Sequence, residues 1–579
     1  MNKIFLSFVV SGSLLASNYK LVPLSSDGIA LSSSNLAKSF SADAAFINPA
    51  NMGFLGQNPQ LHFSANYYNV TGSRFENHLT EVGGEPYYNA SDAHGKEFTF
   101  FLPTLAFVYP INEQHFVGFA GYTDFAGVYG WNSDYAKALT DTMDIRGGTL
   151  ALSYAFKPTS ELSLGASITA NHTRLKFSLM KDNAMNPRYT YKNDYPIWTY
   201  TDKDGNLVER HKSWVYSGNV KTDNGYKFGY KLSLTYAPKY FDEKLRFSLL
   251  YNSSYKNEFK GNMDFKMTKF AMYDFASAIM YAPQSNGDSI ASIMPKFDFA
   301  IKNNPALLNN PKFQELLGMA TGLGSLKYDM DNGNFDKVVG YNGYASANFL
   351  YPANANFGIA YEYGKHEFMF NMGRTFWSKS KSTDLKIATP QMPKSLELLA
   401  GTVGGMCAGV NPATGQALPQ ASNCSSFDEL QKVVAQAITM LKAQNQLSDR
   451  DTQQMQEYFF SSVLQASLEN GWKDTTLLSF GYRYNYDKDL SLMLGFSTED
   501  SPVRREKISF LAKDSRMYNY SLGFEYRINK QLKVTGAGAY QHYADVKVDN
   551  VTDNILIQTK GKFSNQSNQI VNFGVNYEF

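Results

Sequence analysis

The stretch "VNFGVNYEF", residues 571–579, alternates without a break: Val571, Phe573, Val575, Tyr577 and Phe579 fall on one face, Asn572, Gly574, Asn576 and Glu578 on the other. A period of two belongs to a β-strand with one apolar face, because successive Cβ atoms point to opposite sides. The pattern recurs. In "GYKFGYKLSLTYAP", Tyr226, Phe228, Tyr230, Leu232, Leu234 and Tyr236 stand opposite Lys227, Gly229, Lys231, Ser233 and Thr235. Similar rows are Leu150, Leu152, Tyr154, Phe156; Leu245, Phe247, Leu249, Tyr251; Leu490, Leu492, Leu494, Phe496; and Tyr520, Leu522, Phe524, Tyr526. Aromatic residues close several rows, as expected where strands cross a membrane interface, and the opposite faces are polar enough for a wet lumen. A soluble β-sandwich also alternates, but its strands usually stop at about five or six residues.

The connections separate the two architectures. Tight turns fall at 111–114, 157–161, 238–244, 364–366, 487–489 and 529–530, and between them lie long connections at roughly 71–97, 131–143, 181–223, 261–345, 379–471, 501–517 and 546–566. Short and long alternate strictly, the wiring of an outer-membrane barrel with short periplasmic turns and long external loops. Six short and seven long connections join 14 strands, so the expected fold is all-β: a 14-stranded antiparallel transmembrane β-barrel over residues 59–579, with both chain ends on the periplasmic side. The C-terminal strand ending in Phe579 is the element the barrel-assembly machinery would take up.

The rest of the chain fits an exported protein. Lys3 followed by an apolar run from Ile4 to Ala16 reads as a signal peptide over residues 1–16, too short to span a bilayer as a helix. No later run is long and apolar enough for a helical span. The net charge of +2 offers no footprint for nucleic acid. No zinc spacing, G-x-S-x-G or H-E-x-x-H occurs, and the eight His residues sit in rims, loops or turns, so no metal, cofactor or catalytic constellation is expected. Cys407 and Cys424, in an oxidising compartment, read as a disulfide closing one loop.

Two connections are large enough to be structured, about 261–345 and 379–471. Ser426 and Glu429 form a capping box ahead of Leu430, Val433, Val434, Ala437, Ile438 and Leu441 at helical spacing. A second helix starts at Ser448 with Asp451 and is expected to stop at Gly471, and a shorter one is expected over 312–320. Such stripes either pack on the barrel rim or one another, or present a greasy surface that captures an apolar ligand.

Ahead of the strands, "FINPANMGF" (46–54) is apolar yet broken by Pro49 and Gly53. Residues 17–58 are spare once 14 strands close the wall. They are expected to fold into the lumen as a hatch, with Phe46, Ile47, Met52, Phe54 and Leu55 supplying apolar surface for a ligand.

In this setting the chain resembles the FadL-type outer-membrane transporters of long-chain fatty acids and aromatic hydrocarbons. The resemblance rests on "LSSDGIA" (24–30), "NPA" (48–50), "YPINEQHFVGFAGY" (109–122), "FKGN" (259–262), "YPANANFGIAYEY" (351–363), "FSTEDSPV" (496–503) and "VNFGVNYEF", in that order from end to end. It implies passive uptake of a hydrophobic small molecule, most of all a long-chain fatty acid, into a pocket at the hatch that includes Asn48, Pro49 and Ala50. It further implies sideways exit through a gap at a kinked third strand, with Asp124, Phe125, Ala126 and Gly127 at the kink. Arg174 and Lys176 match the family's basic positions and become candidate contacts for a carboxylate. The protein is expected in the outer membrane of a Gram-negative bacterium, among its lipids and lipopolysaccharide, as a monomer and not an enzyme. A channel for aromatic hydrocarbons, a general porin and a surface adhesin are the competing readings.

Overall fold

The structure, a computed structural model, describes residues 25–579 except 83–84, 87–91, 124, 138–139, 182–196, 202–205, 212–215, 274–297, 299–301, 305–310, 335, 389–390, 411–413, 415, 418–421, 423, 464–465, 509, 511–512 and 553–556. The signal segment and the start of the expected hatch therefore lie outside the described residues.

Fourteen antiparallel strands close a barrel. They are β1 (Gln60–Thr71), β2 (Phe98–Pro110), β3 (His115–Tyr122 and Ala126–Gly130), β4 (Thr142–Phe156) and β5 (Leu162–Lys181). Next come β6 (Tyr216–Tyr236), β7 (Leu245–Asn252 and Tyr255–Thr268), β8 (Val338–Tyr351 and Asn354–Tyr363) and β9 (His366–Thr375 and Ser382–Ile387). The wall ends with β10 (Ala466–Glu469 and Thr475–Asn485), β11 (Leu490–Glu499), β12 (Met517–Arg527), β13 (Leu532–Tyr543) and β14 (Ser567–Glu578). Closure is made by β14 on β1, in register from Gln60↔Glu578 to Thr71↔Ser567.

The outward face carries the apolar rows: Leu152, Ile168, Phe228, Leu522 and Phe573 are each more than 60% exposed, as residues facing lipid must be. Several strands run further than the alternation indicates, because the polarity of the two faces reverses above the membrane. In β7, Phe259, Met263, Phe265 and Met267 point inward and are buried, while Lys260 and Lys266 point outward. In β5, Leu175, Phe177 and Leu179 do the same against Arg174 and Lys176.

What the reversed faces bury is a helical cap. The two large inserts supply helices Pro311–Asp331, Lys394–Ala408, Phe427–Ala443 and Asp449–Val463, and their apolar residues share one core with the inward-facing residues at the upper end of β4 to β8. Leu430, Val433, Val434, Ala437, Ile438 and Leu441 are all buried, so this stripe packs inside the cap instead of forming a greasy outer surface. The capping hydrogen bonds form: Ser426 Oγ accepts from the Glu429 amide, and Ser448 and Asp451 exchange bonds between side chain and amide. Two expectations are corrected. The helix read over 312–320 extends to Asp331, and the helix expected to reach Gly471 ends at Val463 because the chain re-enters the sheet at Ala466–Glu469. Cys407 and Cys424 are joined by a disulfide, with Cα atoms 5.8 Å apart.

Candidate functional site

Residues 25–55 form no strand. They make helical turns at Ser26–Ala30, Asn35–Ala37, Ala44–Ile47 and Pro49–Phe54, buried within the barrel. Polar contacts fasten them to inward-facing wall residues. Ser26 bonds Asn572, Ser521 Oγ donates to the Ala30 carbonyl (2.9 Å), Asn371 Nδ2 to the Ser33 carbonyl (3.1 Å) and Ser153 Oγ to the Ala45 carbonyl (2.6 Å). The wall is small where the segment lies against it: a Cβ at Gly165 would sit 2.3 Å from the Ala50 nitrogen, and one at Gly495 would sit 2.6 Å from the Ser32 nitrogen.

Within "NPA", Asn48 works as a connector. Its Nδ2 donates to the Leu36 carbonyl (2.8 Å) and to Thr235 (3.2 Å), while its Oδ1 accepts from the Ala50 amide and caps the turn that Pro49 begins. The Ala50 amide also donates to Ser233 Oγ at 3.0 Å. Asn48 and Ala50 thus dock the segment on β6, with Pro49 between them against Gly165 of β5. Met52 packs toward Gly118, Phe54 lies between Lys157 and Arg246, and Leu55 flanks the same cluster.

Phe46 and Ile47 do face open space. With Leu36 they line a cavity of about 160 Å³, closed on the wall side by Tyr122, Thr123, Leu250, Tyr255 and Tyr351 and dotted with Asn171, Asn354, Asn356 and Asn371. The Phe46 and Tyr122 rings stack with centroids 4.7 Å apart. Lys231 enters the same cavity from β6; its Nζ donates to the Phe46 carbonyl (2.6 Å) and lies 5.0 Å from the centre of the Tyr122 ring. Asn48, Pro49, Ala50, Met52, Phe54 and Leu55 are absent from the lining. Of the lumen-facing residues in the alternating row of β6, only the tertiary arrangement distinguishes Lys231.

Below the cavity, a layer of charge joins segment and wall near the periplasmic turns. Lys38 Nζ meets Glu367 (2.7 Å) and Glu362 (2.9 Å), and Arg483 meets Glu525 (2.8 Å). Two acids of the segment are fully buried nearby. Burial, reinforced by Asp43 and Glu525 and opposed by Arg483 and His62, pushes the Asp27 carboxyl up to about 7. Burial likewise raises Asp43 to about 6 despite the hydroxyls of Ser25 and Ser41.

The cavity adjoins a break in β3. Tyr122 pairs with Thr149, and Ala126 with Arg146, so three residues of β3 oppose two of β4, and the inward face passes from even to odd positions. Asp124 lies outside the described residues, whereas Phe125 is buried and its carbonyl accepts from the Gly147 amide (2.7 Å). Past the break, the β4 register turns Ala126 and Val128 outward, yet they are 2% and 7% exposed and share an apolar cluster with inward-facing Phe100 and Leu102 of β2. The upper part of β3 therefore steps inward behind β2. The β2–β3 ladder runs from Pro110↔Phe116 only to Leu105↔Gly121; beyond it, among the described residues, the next bond is Lys96 N to the Gly130 carbonyl (2.8 Å). Gly127 sits in the segment that steps inward.

Arg174 and Lys176 lie elsewhere. Both are exposed on the outward face of β5, continuous with Leu164 and Ile168, and neither lines the cavity.

The fold and this interior define an outer-membrane β-barrel whose lumen is occupied by its own N-terminal segment and whose third strand breaks beside the cavity. The chain belongs to the family described as outer membrane protein transport protein (OMPP1/FadL/TodX), whose model matches residues 7–397 and 415–579; these are channels for hydrophobic substrates. A long-chain fatty acid transport protein of Salmonella typhi is 25% identical over 240 residues, which is 40% of this chain and 50% of that protein, so the match spans half the length of the relative. Among solved structures, a FadL homologue of Pseudomonas aeruginosa superposes with a TM-score of 0.60 at 15% identity, covering 97% of this chain and all of the other. The toluene transporter TodX of Pseudomonas putida gives 0.52 at 13% identity, covering 94% and 95%. At these identities the structural likeness speaks for the fold alone.

Proposed function

We propose that the protein is a passive channel for long-chain fatty acids. The observation that carries this reading is Lys231: it is the cation of the cavity lining and stands beside the stacked Phe46 and Tyr122 rings, the lining's one acid among the described residues being Glu499. An alkane gains nothing from an ammonium and an aromatic ring gains only a cation–π contact of about 0.5–2 kcal/mol, whereas a carboxylate leaving water needs a cation or several donors. In this reading the N-terminal segment is a hatch that shapes the pocket. The chain of the fatty acid points toward the break in β3, and the ligand leaves sideways between β2 and β3 along Phe100, Leu102 and Val128. Arg174 and Lys176, being on the outer wall, take no part in holding the carboxylate in the pocket.

The size of the cavity favours a second reading. About 160 Å³ is close to the engineered apolar cavity of roughly 150 Å³ that binds benzene, so a monoaromatic would fit. Uptake separates the two. Cells lacking the gene are restored with the wild type or Lys231→Met and given labelled oleate or labelled toluene. A lost charged hydrogen bond is worth about 1.5–3 kcal/mol, so oleate uptake at limiting concentration should fall roughly tenfold or more, with toluene uptake changed by no more than a few-fold. Equal uptake of oleate by both forms overturns the fatty-acid reading.

A further inference from the structure

Outside the lumen, the wall carries a basic patch. On β4 to β7 the outward apolar band runs from the Tyr236–Leu162 pair to the Tyr226–His172 pair; at about 3.3 Å per residue and a tilt of about 40°, this is about 25 Å of height, the thickness of the apolar belt of such barrels. The next outward row is Arg146, Arg174, Asp223 and Lys260, and the row beyond is Asp144, Lys176, Lys221 and Asn262. Asp144 is bonded to Arg146 (2.8 Å) and Asp223 lies 3.8 Å from His172. Arg174, Lys176, Lys221 and Lys260 are exposed and have no ion-pair partner among the described residues. Other rim cations do: Arg74 with Asp92, Arg516 with Asp500, Lys562 with Asp545.

Lys176 and Lys221 stand directly opposite each other across β5 and β6, with Arg174 on the same face. Like charges at opposite positions destabilise a strand pair, and an anion bridging them removes the repulsion. The patch begins one pleat, about 7 Å, above the aromatic girdle and faces away from the lumen, where the headgroup of an outer-leaflet lipid lies. We propose that Arg174, Lys176, Lys221 and Lys260 bind the phosphates of lipid A, the phosphorylated glycolipid of the outer leaflet. Arg supplies a planar donor fork and the lysines point charges, the pairing that phosphate recognition uses.

The test uses the full-length protein in lipid A-free nanodiscs, with lipid A binding followed by native mass spectrometry. The wild type should bind lipid A at least tenfold more tightly than Arg174→Gln/Lys176→Gln/Lys221→Gln and tenfold more tightly than it binds dephosphorylated lipid A. Lys176→Arg/Lys221→Arg should retain binding, and heat-modifiable migration on gels shows that each variant is folded. Unchanged binding by the triple Gln variant, or equal competition by phosphatidylglycerol or by inorganic phosphate, overturns the proposal.

Discussion

Asp27 and Asp43 are buried acids on a segment that could leave its place, and their titration has a definite sign. Seated, Asp27 holds its proton up to about pH 7 and Asp43 up to about pH 6; displaced into water, both return toward 3.8. The seated state therefore binds the extra protons between those values, so its stabilisation is complete below about pH 4 and is lost as pH rises through 6 and 7. Ion leak through single channels in planar bilayers should accordingly rise several-fold from pH 5 to pH 8, and Asp27→Asn/Asp43→Asn should flatten the dependence. A wild-type leak independent of pH would refute the coupling. Legibility differs among single residues. The alternating row of β6 already places Lys231 on the lumen side, but nothing local distinguishes it from Lys227; the Phe46 carbonyl that fastens it comes from a residue 185 positions earlier.

Two elements carry the proposed transport geometry. The N-terminal segment docks by backbone-to-wall contact, so a side chain added at Gly165 must push against the Ala50 nitrogen. Gly165→Val should destabilise docking by about 1–3 kcal/mol, read as increased entry of antibiotics that wild-type cells exclude, with the barrel still folded. For β3, deleting Thr123 leaves two residues opposite two and restores parity with β4, which should pull Ala126 and Val128 back toward the wall. Uptake of labelled oleate should drop at least tenfold while ligand still binds the purified protein; undiminished uptake would exclude exit at this strand. The degraded alternation after Tyr122 marks the bend in the sequence, because a bulge is a local event. Its direction is not local: whether β3 steps inward depends on Phe100 and Leu102 of the neighbouring strand accepting its apolar face.

At the scale of the whole molecule, the cap and the barrel form one continuous core that runs from the upper lumen into the four helices. The Cys407–Cys424 bond ties the helix Lys394–Ala408 to the start of the helix Phe427–Ala443, the two cysteines being 17 positions apart in sequence. A cross-link over a loop of about 15 residues is worth roughly 3 kcal/mol, so Cys407→Ser/Cys424→Ser should make the cap, but not the barrel, sensitive to limited proteolysis at lower temperature. Cleavage confined to the cap, with heat-modifiable migration of the barrel retained, is the expected outcome; equal resistance of both forms would show that the bond adds nothing. Both helix starts in the later insert are legible because their caps are short-range. That the two inserts meet is not, since the helix Pro311–Asp331 finds its partners about a hundred residues further along the chain.

The wall of this protein is written in its local pattern: side-chain period, turn length and the order of short and long connections depend on neighbours in sequence, and they suffice for 14 strands and a lipid-facing belt. The lumen is decided by the tertiary structure. Small wall residues acquire meaning only when the segment lies against them, Lys231 only when Phe46 reaches it, and the reversed faces of β5 and β7 only when the cap buries them. Each of those contacts joins residues far apart in the chain, and alternation carries no information about which of the inward-facing side chains will meet.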